Sequence, residues 1–185
     1  MVVNNKVKGG AFALVLAAAI SIGPAINYFE PAPSDTVKPV VTAYWDSLGN
    51  VWTICKGHTK DVHRGDTATQ AQCDRYSLQD RIVAAQTVHR CLPMLTDPDQ
   101  LGSLTDAAFN LGSGVVCSST LHRDAVAGDY WDMCMQLTDA TGADGMPDGW
   151  TKANGVRLKG LVLRRIYDRD WCLGHKHPLP TDISP

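Results

Sequence analysis

An aspartate and a threonine lie on either side of a short turn in the segment 44–59, which reads YWDSLGNVWTICKGHT. Asp46 precedes the turn residues Gly49 and Asn50, and Thr53 follows them in an aromatic and β-branched run. Across a tight hairpin, a carboxylate and a hydroxyl can hold one water molecule between them. Such a water can attack a sugar carbon while a second carboxyl group protonates the leaving oxygen. The residue types of this segment therefore suit hydrolysis by an activated water molecule.

The segments around this turn predict an α+β fold with a small hairpin lobe and a larger helical lobe. β-Branched and aromatic residues at 40–44 and 51–55 favour two hairpin strands. A capping-box pair at Thr69 and Gln72 predicts a helix that runs to about residue 89. A polymer substrate is expected in the cleft between the lobes. Further helices are predicted at 101–111, 119–127, 129–137 and 158–173, with a glycine-rich loop at 138–154.

The N-terminus carries an uncharged apolar segment at 9–26, preceded by Lys6 and Lys8. It is just long enough to span a bilayer, and the lysines predict that the rest of the chain is exported. The segment could be a cleavable signal peptide, a permanent anchor or a signal-anchor that later leaves the bilayer. Its glycines and alanines weaken its membrane preference, and a buried core helix is disfavoured. We expect residues 1–28 to form this signal-anchor or signal peptide and residues 29–185 to form the catalytic domain.

Six cysteines are spread over the chain. An even number in an exported protein predicts up to three disulfides, and the sequence cannot choose among the fifteen possible pairings. Zinc is the rival interpretation, but Cys55 and His58 form only one close Cys/His pair, so we expect no metal. The formal net charge of −2 also lacks the positive field that nucleic-acid binding requires.

Three segments, in this order, resemble the phage-type lysozymes of glycoside hydrolase family 24. The first is the hairpin segment, with its aspartate, its Trp-Thr-Ile strand and its Gly-His-Thr ending. The second is FNLGSG at 109–114 with STL at 119–121. The third is Trp150 with ANG at 153–155 and GLVLRR at 160–165. The hydrophobic N-terminus and the cysteines are similar to the exported endolysins of the signal-anchor-release kind within that family.

This resemblance implies a lysozyme-like fold and gives roles to particular residues. Asp46, with Thr53, would position or activate the attacking water in an inverting mechanism. His58 could instead orient the hairpin through a hydrogen bond, and Phe109 could be a core residue. Substrate contacts are expected from His58, Phe109, Asn110 and Thr120.

The proton donor is where this chain departs from the family's pattern. The family has a glutamate nine residues before the aspartate, and this chain has Val37 there. Glu30 resembles the family's Phe-Glu position at a helix end, followed here by a proline-rich insertion at 31–39. Asp35 is a nearer but shorter alternative, and a third alternative is that the chain has no acid. Glu30 is the predicted general acid.

The resemblance implies an endolysin that hydrolyses the β-1,4 bond between N-acetylmuramic acid and N-acetylglucosamine in peptidoglycan, without a cofactor. It would act as a monomer in the periplasm of a bacterial host, transiently tethered to the inner membrane, with no nucleic-acid partner. Arg164 and Arg165 would contact acidic groups near the cleft or form a solvated helix face. The alternatives are a non-catalytic peptidoglycan-binding relative that has lost the acid and a protein that acts on membranes through its N-terminal segment.

Overall fold

The computed structural model describes residues 5–30, 39–139, 145–175 and 179, and of residues 5–9 the backbone alone. Its strands are β1 (Val40–Thr42), β2 (Tyr44–Asp46), β3 (Val51–Thr53), β4 (Thr67–Thr69), β5 (Lys152–Ala153) and β6 (Val156–Arg157). Its helices are α1 (Asn5–Ser21), α2 (Gly23–Phe29), α3 (Gln70–Cys91), α4 (Pro98–Leu111), α5 (Gly114–Cys117), α6 (Thr120–Ala127), α7 (Tyr130–Met135) with a 3₁₀ turn (Gln136–Thr138), and α8 (Lys159–Cys172).

Each lobe has its own apolar core, and α3 belongs to both. In the small lobe, Ala43 and Ile54 pack around the disulfide between Cys55 and Cys73, which lies near the start of α3. Farther along α3, Val88 belongs to the larger core formed mainly by helices. The predicted α+β fold with a small β lobe and a larger helical lobe is confirmed. The capping box that predicted the start of α3 is also present, with both of its hydrogen bonds made.

The strand segment from residue 40 to residue 46 changes its partner at Ala43. β1 pairs antiparallel with β4, and β2 pairs antiparallel with β3. The Ala43 amide donates to the Asp66 carbonyl at 2.8 Å and so extends the first pairing. The predicted pairing of 40–44 with 51–55 is therefore wrong for residues 40–42. β-Branched composition identifies a strand, but it does not identify the strand's partner.

Two short elements lie where the sequence predicted a turn or a loop. Gly112, with φ of 82°, ends α4 as predicted, and α5 follows almost at once. β5 and β6 form a hairpin in which Asn154 and Gly155 have φ of 50° and 78°. Positive φ at both central residues is typical of the turns that form two-residue hairpin loops. The two-residue strands beside it are too short to show alternating polarity in the sequence.

The N-terminal helices pack against the helical lobe. The stretch Gly10–Phe29 is long and apolar enough to cross a membrane by length and composition. In this fold, however, Ala19, Ile22 and Ile26 are fully buried. A Cβ added to Gly102 of α4 would overlap the Ser21 hydroxyl at the end of α1, so α1 and α4 approach closely there. In this folded state the segment therefore packs on the core along one side, while only 28% of the apolar stretch is buried.

Three disulfides join neighbouring elements, and no described cysteine is free. Each bridge involves a long helix, either α3 or α8. The prediction of three disulfides is confirmed, and the structure supplies the pairing: Cys55–Cys73, Cys91–Cys117 and Cys134–Cys172.

Loop length predicts how much each bridge stabilises the fold. Removing the bridge between Cys134 and Cys172, 38 residues apart, should lower the free energy of unfolding by about 4 kcal/mol. Removing the bridge between Cys55 and Cys73, 18 residues apart, should cost about 3 kcal/mol, because a shorter loop constrains the unfolded chain less. Urea unfolding of the paired alanine variants measures both values. Six titratable thiols in exported, denatured protein would contradict the disulfide framework.

Candidate active site

Glu30 lies immediately after α2, at the junction of the two lobes. Its backbone N–H donates to the Ile26 carbonyl at 3.0 Å and so closes the last turn of the helix. Its Oε1 accepts a hydrogen bond from Arg164 Nη1 at 2.5 Å. A Cβ added to Gly57 of the small lobe would lie 3.6 Å from Oε2. The carboxyl group is thus oriented by α8 and faces the small lobe.

Arg164 is itself held from the opposite side by Asp106 of α4. Its Nε and Nη2 donate to the two carboxylate oxygens of Asp106 at 2.8 and 3.0 Å, a bidentate pair in which both side chains are buried. Burial alone would lower the pKa of Arg164, but the charges of Asp106 and Glu30 raise it above its ordinary value. Arg164 is therefore a fixed cation beside Glu30.

Asp46 lies at the end of β2, where the chain turns back into β3. Its Oδ1 accepts a hydrogen bond from the Leu48 amide at 2.9 Å, which braces the turn. A Cβ at Gly49 would come within 2.9 Å of Oδ2, so a side chain there would crowd the carboxylate. Asn50 takes φ of 53° and completes the reversal. The turn residues therefore fix the position of the Asp46 carboxylate.

Thr53 and Tyr44 share one face of this hairpin with Asp46. They are directly opposite each other in the register, and side chains two residues apart along a strand point the same way. Thr53 is only 2% exposed, and its hydroxyl donates to the Val51 carbonyl at 3.4 Å. Burial, together with the charges of Asp46 and Glu30, raises the pKa of the Tyr44 hydroxyl. Tyr44 therefore lies close enough to both carboxylates for their charges to act on its hydroxyl group.

A cavity of about 540 Å³ contains both carboxylates and is called the acid cavity below. Asn110, one of the predicted substrate contacts, also lines it. Four regions of the chain supply the wall: the end of α2 with Glu30, the hairpin turn, the end of α4, and the segment from β5 into α8. The lining residues are Phe29, Glu30, Asp46, Leu48, Gly49, Asn110, Leu111, Lys152, Ala153, Leu158, Gly160, Leu161 and Arg164.

His58, Phe109 and Thr120 lie outside the acid cavity. His58 Nδ1 is 2.7 Å from Asp80 Oδ2, and its ring stacks on Tyr76 with 4.4 Å between centroids. Phe109 lines a neighbouring cavity of about 500 Å³, which we call the adjoining cavity. Thr120 is the exposed first residue of α6. The alternative acid, Asp35, lies outside the described residues.

The sequence analysis left the role of two arginines open and did not identify Tyr44 or Asp106. Arg164 contacts Glu30 and Asp106, whereas Arg165 is fully buried with Asp168 at 2.8 Å. The solvated-face alternative is therefore wrong for both arginines. Asp106 stands among apolar residues in the sequence of α4, and this pattern indicates a buried ion pair. Side chains two residues apart on a strand point to the same face, so counting back two residues from Asp46 would have identified Tyr44.

No group of three or more His, Cys, Asp or Glu side chains within the described residues is placed to hold a metal ion. The chemistry available at this site is that of two carboxylates on a shared cavity. One carboxylate is bound to an arginine, and the other lies in a hairpin turn. This is the arrangement of residue types that acid-assisted attack by water on a glycosidic bond requires.

The fold is similar to that of solved phage endolysins. The structure of the active form of the P1 phage endolysin Lyz superposes with a TM-score of 0.62 at 21% sequence identity, covering 87% of this chain and 93% of that one. This likeness concerns the fold alone.

Sequence relatives extend the likeness over most of the chain. The SAR-endolysin of Enterobacteria phage P21 is 30% identical over 165 residues, which are 89% of this chain and 90% of that protein. The SAR-endolysin of Bacteriophage PS119 is 29% identical over 177 residues, covering 95% and 99%. The sequence profile named phage lysozyme matches residues 39–167, from the start of the small lobe into α8. The chain therefore belongs to the phage lysozyme family.

Proposed function

We propose that Glu30 and Asp46 are the acid and base with which this phage-type lysozyme hydrolyses peptidoglycan. The bond cut is the β-1,4 bond between N-acetylmuramic acid and N-acetylglucosamine. The observation that carries the assignment is that the two carboxylates, one after α2 and one from the β2–β3 turn, line the same cavity. Its volume of about 540 Å³ lies within the usual range for small-ligand sites, and it lies where the two lobes meet.

In this reaction Glu30 donates its proton to the glycosidic oxygen as the bond from that oxygen to the anomeric carbon breaks. Water adds to the anomeric carbon from the opposite face, and its proton passes to Asp46. The products are a hemiacetal of inverted configuration and a free sugar hydroxyl. Because Arg164 binds Oε1 of Glu30, Oε2 is the oxygen placed to meet the substrate. Arg164 thus orients the acid without taking part in proton transfer.

Thr53 would assist Asp46 in holding the water. Its hydrogen bond to the Val51 carbonyl is 3.4 Å long and therefore weak, so the hydroxyl can turn within the hairpin. Thr53 is only 2% exposed and is not among the residues that line the acid cavity, so it would reach the water from behind Asp46. Tyr44, opposite Thr53, would supply a second hydroxyl on the same face of the hairpin.

Asn110 is the predicted substrate contact nearest to the chemistry, because it lines the acid cavity. A long glycan would also meet Phe109 in the adjoining cavity. Thr120 would contact the substrate only outside the two cavities. His58 would support the small-lobe loop that carries Gly57 through its bond to Asp80, and so act on the substrate indirectly.

Two features favour the enzyme over a non-catalytic relative. An acid is present at the cavity although the family's usual spacing is lost, and an ion-paired arginine orients it. A relative that only binds peptidoglycan would have no need of an oriented carboxyl group in a water-accessible cavity. The observation therefore supports hydrolysis.

We also propose that the chain is exported to the periplasm, first tethered to the inner membrane through its N-terminal segment and then released as a monomer. The apolar stretch Gly10–Phe29 and the lysines before it support the tether. The packing of the same stretch in this fold supports release. The relatives named SAR-endolysins are consistent with both steps.

Asp46→Asn tests the assignment of the base. The activity on purified sacculi should fall about a hundredfold, because the amide cannot accept the water's proton. The free energy of unfolding should change by less than about 1 kcal/mol, because the Asn oxygen can still accept the Leu48 hydrogen bond. Reducing-end release measures the activity, and NMR of the first product measures its anomeric configuration. Full activity in the variant, or retained configuration in the wild type, would contradict the mechanism.

A further inference from the structure

The acid cavity and the adjoining cavity lie next to each other. Asn110 and Phe109, which are consecutive on α4, line the first and the second respectively. Gly57 lines the adjoining cavity, and a Cβ on it would lie 3.6 Å from Oε2 of Glu30. A polymer that passes the general acid can therefore continue into the adjoining cavity, whose volume is about 500 Å³.

The adjoining cavity is lined by two exposed cations, Lys60 and Arg90. Within the described part of the chain Lys60 makes no ion pair, and Arg90 donates one long hydrogen bond, of 3.5 Å, to Thr87. The acid on the same wall, Asp80, already accepts a hydrogen bond from His58 at 2.7 Å. The wall therefore presents two cations and one carboxylate, Asp80, and neither cation forms an ion pair with a protein carboxylate among the residues described.

The chemistry of peptidoglycan identifies what these cations can bind. In a strand that carries peptides, both sugars of the glycan backbone are uncharged, because the lactyl carboxyl group of N-acetylmuramic acid is in amide linkage to the peptide. Negative charge comes from the short peptide attached to each N-acetylmuramic acid, which carries free carboxylates. Arginine binds a carboxylate through two parallel hydrogen bonds, and lysine binds it as a compact charge.

We propose that Lys60 and Arg90 form a subsite for the carboxylates of a peptide stem on the sugar next to the bond that is cut. This inference rests on the proposed function, because it assumes that the cleft takes a peptidoglycan strand past Glu30. Lys60 follows Gly57 by three residues, which span at most about 10 Å. The ammonium group is thus within reach of a peptide carboxylate on the sugar beside the general acid.

The test uses the full-length released protein and soluble, uncrosslinked peptidoglycan strands. Lys60→Gln/Arg90→Gln is compared with Arg64→Gln/Arg75→Gln, which removes the same charge from two exposed positions that line neither cavity. Each protein is assayed on native strands and on strands whose carboxylates have been converted to neutral methylamides. KM and kcat are measured separately.

On native strands, KM of Lys60→Gln/Arg90→Gln should rise about three- to tenfold at unchanged kcat, the range expected for two partly exposed ion pairs. The control variant should match the wild type. On methylamide strands, the wild type should lose the same factor and the variant should lose nothing further. Equal KM values for both variants, or an equal loss on both substrates, would overturn the subsite. A wild type that releases no reducing ends from either substrate would overturn the proposed function instead.

Discussion

Glu30→Gln should lower the rate of peptidoglycan hydrolysis by about 10³–10⁴-fold, near the upper end of what a general acid contributes. The leaving group is a sugar hydroxyl, which departs very slowly unless it is protonated. Glutamine has the same shape, and Arg164 can still donate to its Oε1, as it does to the carboxylate at 2.5 Å. The free energy of unfolding should therefore change by less than about 1 kcal/mol, and the loss can be read as lost chemistry.

Two controls make this result specific to proton donation. Asp35→Asn should keep wild-type activity, because the acid is assigned to Glu30. With an activated aryl glycoside, whose leaving group needs no proton, Glu30→Gln should recover most of the lost rate. Release of reducing ends and of the aryl alcohol measures the two reactions. A large loss in Asp35→Asn with none in Glu30→Gln would transfer the acid to Asp35.

The chemistry of the hairpin could be predicted from the sequence because it is local. Asp46, its turn and Thr53 lie within eight residues, and a tight turn places such residues together whatever the rest of the chain does. The exchange of partners at Ala43 could not be predicted in this way. It depends on β4, more than twenty residues farther along, and strand composition carries no information on pairing.

The residues that contact Glu30 are far from it in the sequence, so spacing along the chain could not predict these contacts. Arg164 is 134 residues from Glu30 and 58 residues from Asp106, so the three meet only after α2, α4 and α8 have packed. The sequence identified the arginine as a candidate through the Arg-Arg motif but could not say which of the two neighbours faces the cleft. The fold decides this, because Arg165 points into the core toward Asp168.

The amino-acid composition of the N-terminal segment does not determine whether the segment lies in a membrane or packs on the folded protein. Small apolar residues suit close helix packing in water and also permit entry into a bilayer, so one pattern is compatible with both environments. In this fold Ala18, Ala19 and Ala25 are buried, while Phe12 and Ile20 remain 69% and 58% exposed. The exposed face therefore offers positions at which membrane affinity can be changed without filling the core.

Leucine at Gly10, Ala13 and Ala17 together should hold the protein in the membrane and prevent lysis. All three positions are exposed in this fold, and a Cβ at Gly10 would meet no atom within 4 Å, so the released enzyme should fold as before. The three changes add about ten apolar carbons at about 0.8 kcal/mol each when they are buried in hydrocarbon. Even a fraction of that total shifts partition toward the membrane by orders of magnitude. Sedimentation of membranes after collapse of the proton-motive force measures the distribution.

The choice of positions separates membrane retention from damage to the fold. Leucine at Gly23 would confound the two, because a Cβ there would lie 2.7 Å from Arg81 Nη1. Serine at the same three exposed positions is the matched control, since it occupies the same sites without adding apolar surface. The serine variant should leave the membrane and lyse cells, and the detergent-extracted leucine variant should hydrolyse sacculi at the wild-type rate. If the leucine variant lyses cells as well as the original, or if the soluble form is always shortened near Ala19, the segment is an ordinary signal peptide.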